Sequence, residues 1–288
     1  MAVVLCVLCT CALTYPMWRL GQHAVQDWGI GALSRYGVQK YFNRCFLLCG
    51  LVTVMCLRRR FRFSASGPVA TTVDLCSFWK GALMGGATFL VLFGLGLAAK
   101  VFSFEGGKAL GGVLLKALAA ASAVAVIEEW LFRCQMLNAA LVRFGPTVGQ
   151  VVVAAVFASV HFLKPTAPPS DMPIDAWVGF RLLPLIFHKY GQFFSVIGGW
   201  STLFVLGLAL SRLSIKSGGI AAAIGVHGVL IFLNKTLASQ VKVAMVPPWF
   251  GGDFQTGLMP FLALAGLAWI GPRWVCKKPD SAGDWLRG

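Results

Sequence analysis

The chain has 288 residues, of which 58% are hydrophobic and only 12% charged, against roughly 45–50% and about 25% in an ordinary soluble domain. Too few charges remain to clothe a water-facing surface, which excludes a soluble globular fold. The 25 Lys and Arg outnumber the 10 Asp and Glu, for a formal net charge of +15; in so apolar a chain this reads as basic loops beside anionic lipid headgroups, with no nucleic-acid partner implied.

A spanning helix needs about 20 mostly apolar residues. In chain order, stretches near 1–17, 41–57, 81–99, 109–127, 148–163, 193–210, 218–234 and 258–275 qualify. The expected fold is therefore all-α: a polytopic transmembrane bundle of about eight spanning helices. The first stretch lacks the basic start and small-residue cleavage site of a signal peptide, so it reads as a span. Gly81–Gly86, Gly94–Gly96 and Ala117–Ala125 are rich in the small residues that let helices approach in lipid. Trp18, Trp28, Trp79, Trp130, Trp249 and Trp274 fall near span ends, where an aromatic belt places them.

Between the spans, segments 58–80, 128–147, 211–217 and 276–288 carry slightly more Lys and Arg than the alternate ones. The positive-inside rule then sets this group in the cytoplasm, mainly on Arg58-Arg59-Arg60-Phe61-Arg62. Segment 164–192 opens with Pro165, Pro168, Pro169 and Pro173, which prevent helix there. Its second half mixes Trp177, Phe180, Leu182 and Phe187 with Arg181, His188 and Lys189; it reads either as an interfacial amphipathic helix broken near Pro184 or as an apolar loop. Nine cysteines include Cys6-Val-Leu-Cys9-Thr-Cys11, but with no second such pair and no His nearby they read as soft packing residues, not metal ligands.

The polar residues inside the apolar stretches carry the functional argument, because a charge at mid-bilayer costs about 2.5–3.5 kcal/mol on insertion scales. Of three Glu in the chain, Glu128 and Glu129 are adjacent and follow an apolar run. On a continuing helix Glu129 and Arg133 stand at i, i+4 and can pair, while Glu128 faces about 100° away. One carboxylate is then neutralised and the other remains for chemistry. His161 closes the 148–163 stretch one turn after Phe157, and His227 stands in the middle of Gly218–Asn234. If the three helices are neighbours, these groups meet in one polar cavity. Glu and His can deprotonate water and return the proton to a leaving group, and a second His can stabilise an oxyanion. The same set is also chemically fit to hold a divalent metal such as zinc.

Glu128-Glu129-x-x-x-Arg133, Phe157-x-x-x-His161 and His227, the last preceded by Phe204–Leu210 and Ser217–Ile220, together resemble the CPBP family. These are CAAX prenyl endopeptidases and bacteriocin-processing enzymes, also called the Abi family. The resemblance covers roughly 115–235, between N-terminal transmembrane helices over 1–114 and a loop, helix and basic tail over 236–288. It implies an intramembrane endopeptidase in which Glu128 and His161 activate water and His227 helps stabilise the oxyanion, with Glu129 and Arg133 in support. It implies no cofactor, since the usual view of the family is a metal-free glutamate mechanism. It also implies a membrane-associated protein or peptide as substrate and a multi-pass place in a plasma membrane or endomembrane. The family usually has Asn or Asp four residues after its last His; here that position is Ile231, with Asn234 on the same helical face as a stand-in. Two other readings compete: a proton-coupled transporter, since intramembrane Glu and His also build proton relays, and a non-catalytic member of the same fold, motivated by Ile231.

Overall fold

The computed structural model describes residues 2–34, 36–61, 68–105, 110–191, 193–237, 240–247, 249–251 and 256–275. Arg62, Cys276 and the basic tail 276–288 lie outside them. The elements in order are α1 (Ala2–Gln26), α2 (Val38–Phe61), α3 (Leu75–Ala98), β1 (Phe102–Phe104), α4 (Leu110–Glu129), a π-helical stretch (Trp130–Leu137), α5 (Asn138–Phe162), α6 (Val178–Ile186), α7 (Phe193–Ser217), α8 (Ala221–Leu237), β2 (Val241–Val243) and α9 (Leu258–Trp274). Each of the eight expected stretches falls on a helix. Among the described residues, four helical stretches are both long and apolar enough to cross a membrane: Val4–Gln26, Leu75–Ala98, Gly111–Phe162 and Val196–Ser217. Ala221–Leu237 is a shorter apolar helix.

The chain divides into two compact units, one of Met1–Phe63 with Ser159–Val196 and one of Ser64–Ala158 with Ile197–Gly288. In the first, α1 and α2 form an antiparallel pair and α6 packs on both. Cys11, Val38, Phe42, Val178, Leu182 and Ile186 make its core. Cys11 is fully buried and carries a free thiol, as a packing residue would.

In the second unit α8 is the hub, flanked by α3 and α4. α3 and α8 run parallel with their backbones in contact. A Cβ on Gly81 would enter the Ala222 carbonyl, and one on Gly225 would enter that of Phe78. At Gly85 a Cβ would stand 2.8 Å from the Val226 carbonyl oxygen. The Gly81-x-x-x-Gly85 spacing thus serves the close approach expected of small residues in lipid. Beyond α3, Phe89, Phe93, Phe102 and Phe250 build an aromatic cluster. There β1 pairs antiparallel with β2, Phe102 opposite Val243 and Phe104 opposite Val241. The strand pair joins segments 100–108 and 235–257, and an isolated parallel bridge between Ala70 and Gly219 joins 58–80 to the turn before α8.

One expectation is corrected. Segment 128–147 is not a loop: the helix of α4 runs on through the π-helical stretch into α5. The reversal is concentrated at Gly145, with φ 78° and ψ 174°, followed by Pro146. The left-handed φ suits glycine, and Pro146 needs no hydrogen-bond acceptor at the start of the returning helix. The two arms fold back so closely that a Cβ on Gly149 would lie 2.9 Å from the Ala140 carbonyl.

Candidate active site

The site forms where the last turn of α4 faces the middle of α8. Gly228 keeps α8 close to α4, with Ala125 at van der Waals distance from where its Cβ would be. Glu129 and Arg133 are both fully buried. Arg133 Nε donates to Glu129 Oε2 at 2.9 Å, the i, i+4 pair that the spacing predicts. The pair sits where α4 passes into π-helix, a geometry that recurs at functional sites. Glu129 Oε1 lies 2.8 Å from His227 Nδ1. Both oxygens of this carboxylate are therefore engaged, one by a guanidinium and one by an imidazole.

Glu128 does not face away from this cluster as the wheel suggested. Its Oε2 stands 3.9 Å from His227 Nε2, and its side chain keeps 20% of its exposure. That separation exceeds a direct hydrogen bond and is short enough for one oxygen atom to touch both groups. His227 thus lies between the two carboxylates, one on each ring nitrogen.

The surroundings hold this geometry. Arg133 Nη1 donates to Ser211 Oγ at 3.2 Å, and Ser211 in turn donates to the Gly207 carbonyl of α7. Phe157 of α5 is fully buried and stands edge-on to His227, with centroids 5.9 Å apart. The Arg133 guanidinium carbon lies 5.0 Å from the Phe157 ring centroid, within cation–π range. The Phe of the Phe157-x-x-x-His161 spacing is thereby a wall for both partners of Glu129. Asn138 straps residues 68–70 to the same region: Val69 N–H donates to its Oδ1 at 3.1 Å, and its Nδ2 donates to the carbonyls of Val69 and Cys134.

His161 belongs to the first compact unit, where it is half-buried in the last turn of α5. Ile231 and Asn234 are half-buried on α8, one and two turns beyond His227. Ser211 and Asn138 were not singled out in the sequence. Asn138 lay in the expected loop, and Ser211 is distant in sequence from its Arg partner and had no visible charge pattern. Among the described residues, no three His, Cys, Asp or Glu group so as to hold a metal ion.

The fold and site define an integral membrane protein, helical among the described residues apart from a small strand pair and an isolated bridge, with a buried carboxylate–arginine–histidine cluster. Residues 109–233 match the Rce1-like family, described as type II CAAX prenyl endopeptidase Rce1-like. The matched segment, an Rce1-like domain of a protease family, contains every motif that carried the CPBP resemblance. No curated protein and no solved structure matches the chain.

Proposed function

We propose that the chain is a multi-pass intramembrane endopeptidase of the glutamate type, acting on the membrane-proximal end of a protein or peptide of CAAX-prenylated type. One observation carries the reading: two adjacent carboxylates are given opposite environments. Glu129 engages one oxygen with Arg133 and the other with His227 and is fully buried, which closes it off from a substrate. Glu128 keeps partial exposure beside the far ring nitrogen of His227.

In this mechanism Glu128, with His161, takes a proton from water as its oxygen attacks the scissile carbonyl carbon. The tetrahedral oxyanion accepts a hydrogen bond from His227 Nε2–H. The proton held by Glu128 then passes to the amide nitrogen as the C–N bond breaks. Because Nδ1–H of His227 donates to the Glu129 carboxylate, Nε2 is a donor only when the ring is an imidazolium. Glu129 is therefore the counter-ion that suits His227 to an oxyanion. Ile231 supplies no donor, so the oxyanion role rests on His227. No metal enters any step.

The test is cleavage of a prenylated peptide by the purified chain in phosphatidylcholine vesicles. Glu128→Gln and His161→Ala are each expected to lower the rate by about 10²-fold or more, with activity surviving exhaustive chelation. Full cleavage by either variant overturns the assignment. Proton-coupled flux through the vesicles without any proteolysis would favour a transporter instead.

A further inference from the structure

Segment 164–192, drawn from the sequence as an interfacial helix or a loop, has its depth set by what it touches. On α1, Val7, Cys11, Tyr15 and Trp18 form a stripe of successive turns, and all four pack in the cluster built around α6. The contact at Cys11 is backbone to backbone: a Cβ on Gly179 would run into the Cys11 carbonyl. α6 has nine residues, a length of about 13 Å. It therefore lies along the middle of α1. Cys11 is well inside Val4–Gln26, which is long and apolar enough to cross a membrane, so the helix packed on it shares its depth. Nine residues are too few to span.

We infer that segment 164–192 re-enters the membrane from one side and that the outer face of α6 and its flanks is a lipid-binding surface covered by acyl chains. The inner face is closed against α1 and α2, with Val178 and Leu182 fully buried. The outer face presents Ile174, Trp177 and Phe187, with exposures of 41%, 64% and 63%; α1 likewise exposes Val4, Leu5 and Leu8. The polar groups of the segment are arranged for such a place. Arg181 forks onto both oxygens of Asp175 at 2.7 and 3.0 Å and donates to the Pro173 carbonyl, while Asp175 also accepts from Trp177 N–H. The Arg181 and Asp175 charges thus cancel each other. Exposed Ser170 and Asp171 mark the part left in water.

The test places the photoreactive residue benzoylphenylalanine at Trp177, at Phe187 and, for comparison, at Ser170, in the full chain in phosphatidylcholine vesicles. Illumination followed by mass spectrometry is expected to give acyl-chain adducts at 177 and 187 and none at 170. Adducts at 177 and 187 confined to headgroups, to a second copy of the chain or to solvent overturn the inference. Hydrogen exchange on the unsubstituted chain in the same vesicles needs no variant. Slow exchange across 178–186 beside fast exchange at 166–171 supports re-entry, and uniformly fast exchange overturns it.

Discussion

Helix α8 presents two faces that are held by opposite means. Toward α3 it offers Ala222, Gly225 and Val226, and the contact is steric, made by backbones that glycine allows to touch. Toward α4 it offers His227, and the contact is polar, made by a buried charge network. The steric face tolerates no added atoms but carries no chemistry. The polar face carries the chemistry but is stable only while every partner is present, since a buried ion pair offsets a large desolvation cost. A catalytic carboxylate inside a membrane is best placed beside a network that is already neutral, and the small-residue seam behind it fixes where that network stands.

The sharpest way to break the polar face is Arg133→Leu. It leaves Glu129 buried without its guanidinium partner, and the expected loss is about 3–5 kcal/mol, read as a large fall in apparent Tm in detergent micelles. Glu129→Leu combined with Arg133→Leu is expected to recover much of that loss, because the pair stabilises little beyond its own desolvation. Equal destabilisation by the single and the double variant would show that the network is not a charge clamp.

The steric face is tested by Gly81→Val, which drives a branched side chain into the Ala222 carbonyl. Overpacking of this kind costs about 3 kcal/mol at the upper end of its usual range. Displacing α8 also moves His227 against Glu128, so cleavage should fall more than stability does. Unchanged Tm and rate would mean that the two helices can separate without consequence.

These two faces were not equally legible in the sequence. The Glu129–Arg133 pair follows from i, i+4 spacing, and the scarcity of Glu drew attention to it at once. The helical stretches were also readable from their apolar runs, and four of the described ones are long and apolar enough to cross a membrane. Small residues at Gly81 and Gly85 announced a close contact without naming the partner, because parallel packing on α8 is a long-range choice. The helix through 128–144 is not legible because Arg133, Asn138 and Arg143 look like loop polarity. Partners on α7 and in segment 68–70 make Arg133 and Asn138 internal, while Arg143 stays exposed. Placing α6 was likewise beyond periodicity: its apolar face is explicit, but only the contact with Cys11 sets its depth.

A smaller effect is expected at the rim of the network. Ser211→Ala removes the hydroxyl that accepts from Arg133 Nη1 and should cost about 1.5 kcal/mol, the lower range for hydrogen bonds to charged groups. It should leave the Glu129–His227 contact intact, so the rate should change by less than in any Glu129 variant. A fall in rate as large as that of Glu128→Gln would place Ser211 in the reaction itself and not behind Arg133.

The smallest effect lies at the N-terminus of α3, where the steric seam begins. Asp74 caps that helix, accepting from the Ser77 and Cys76 amides. The Ser77 hydroxyl and amide hydrogen bonds hold its carboxyl below the ordinary carboxylate range. A depressed folded value means that the cap stabilises fully above the unfolded carboxyl pKa, about 3.9, and that this is lost as pH falls through the lower folded value. Asp74→Asn keeps an acceptor but cannot titrate. Hydrogen exchange at residues 75–78 should therefore quicken in the wild type relative to Asp74→Asn as pH falls below the unfolded carboxyl pKa, after correction for intrinsic rates. The Gly81–Ala222 contact one turn further on should stay protected in both. If protection is lost at Gly81 as well, the cap and the seam are one cooperative unit, and the α3 face of α8 depends on polar anchoring just as the α4 face does.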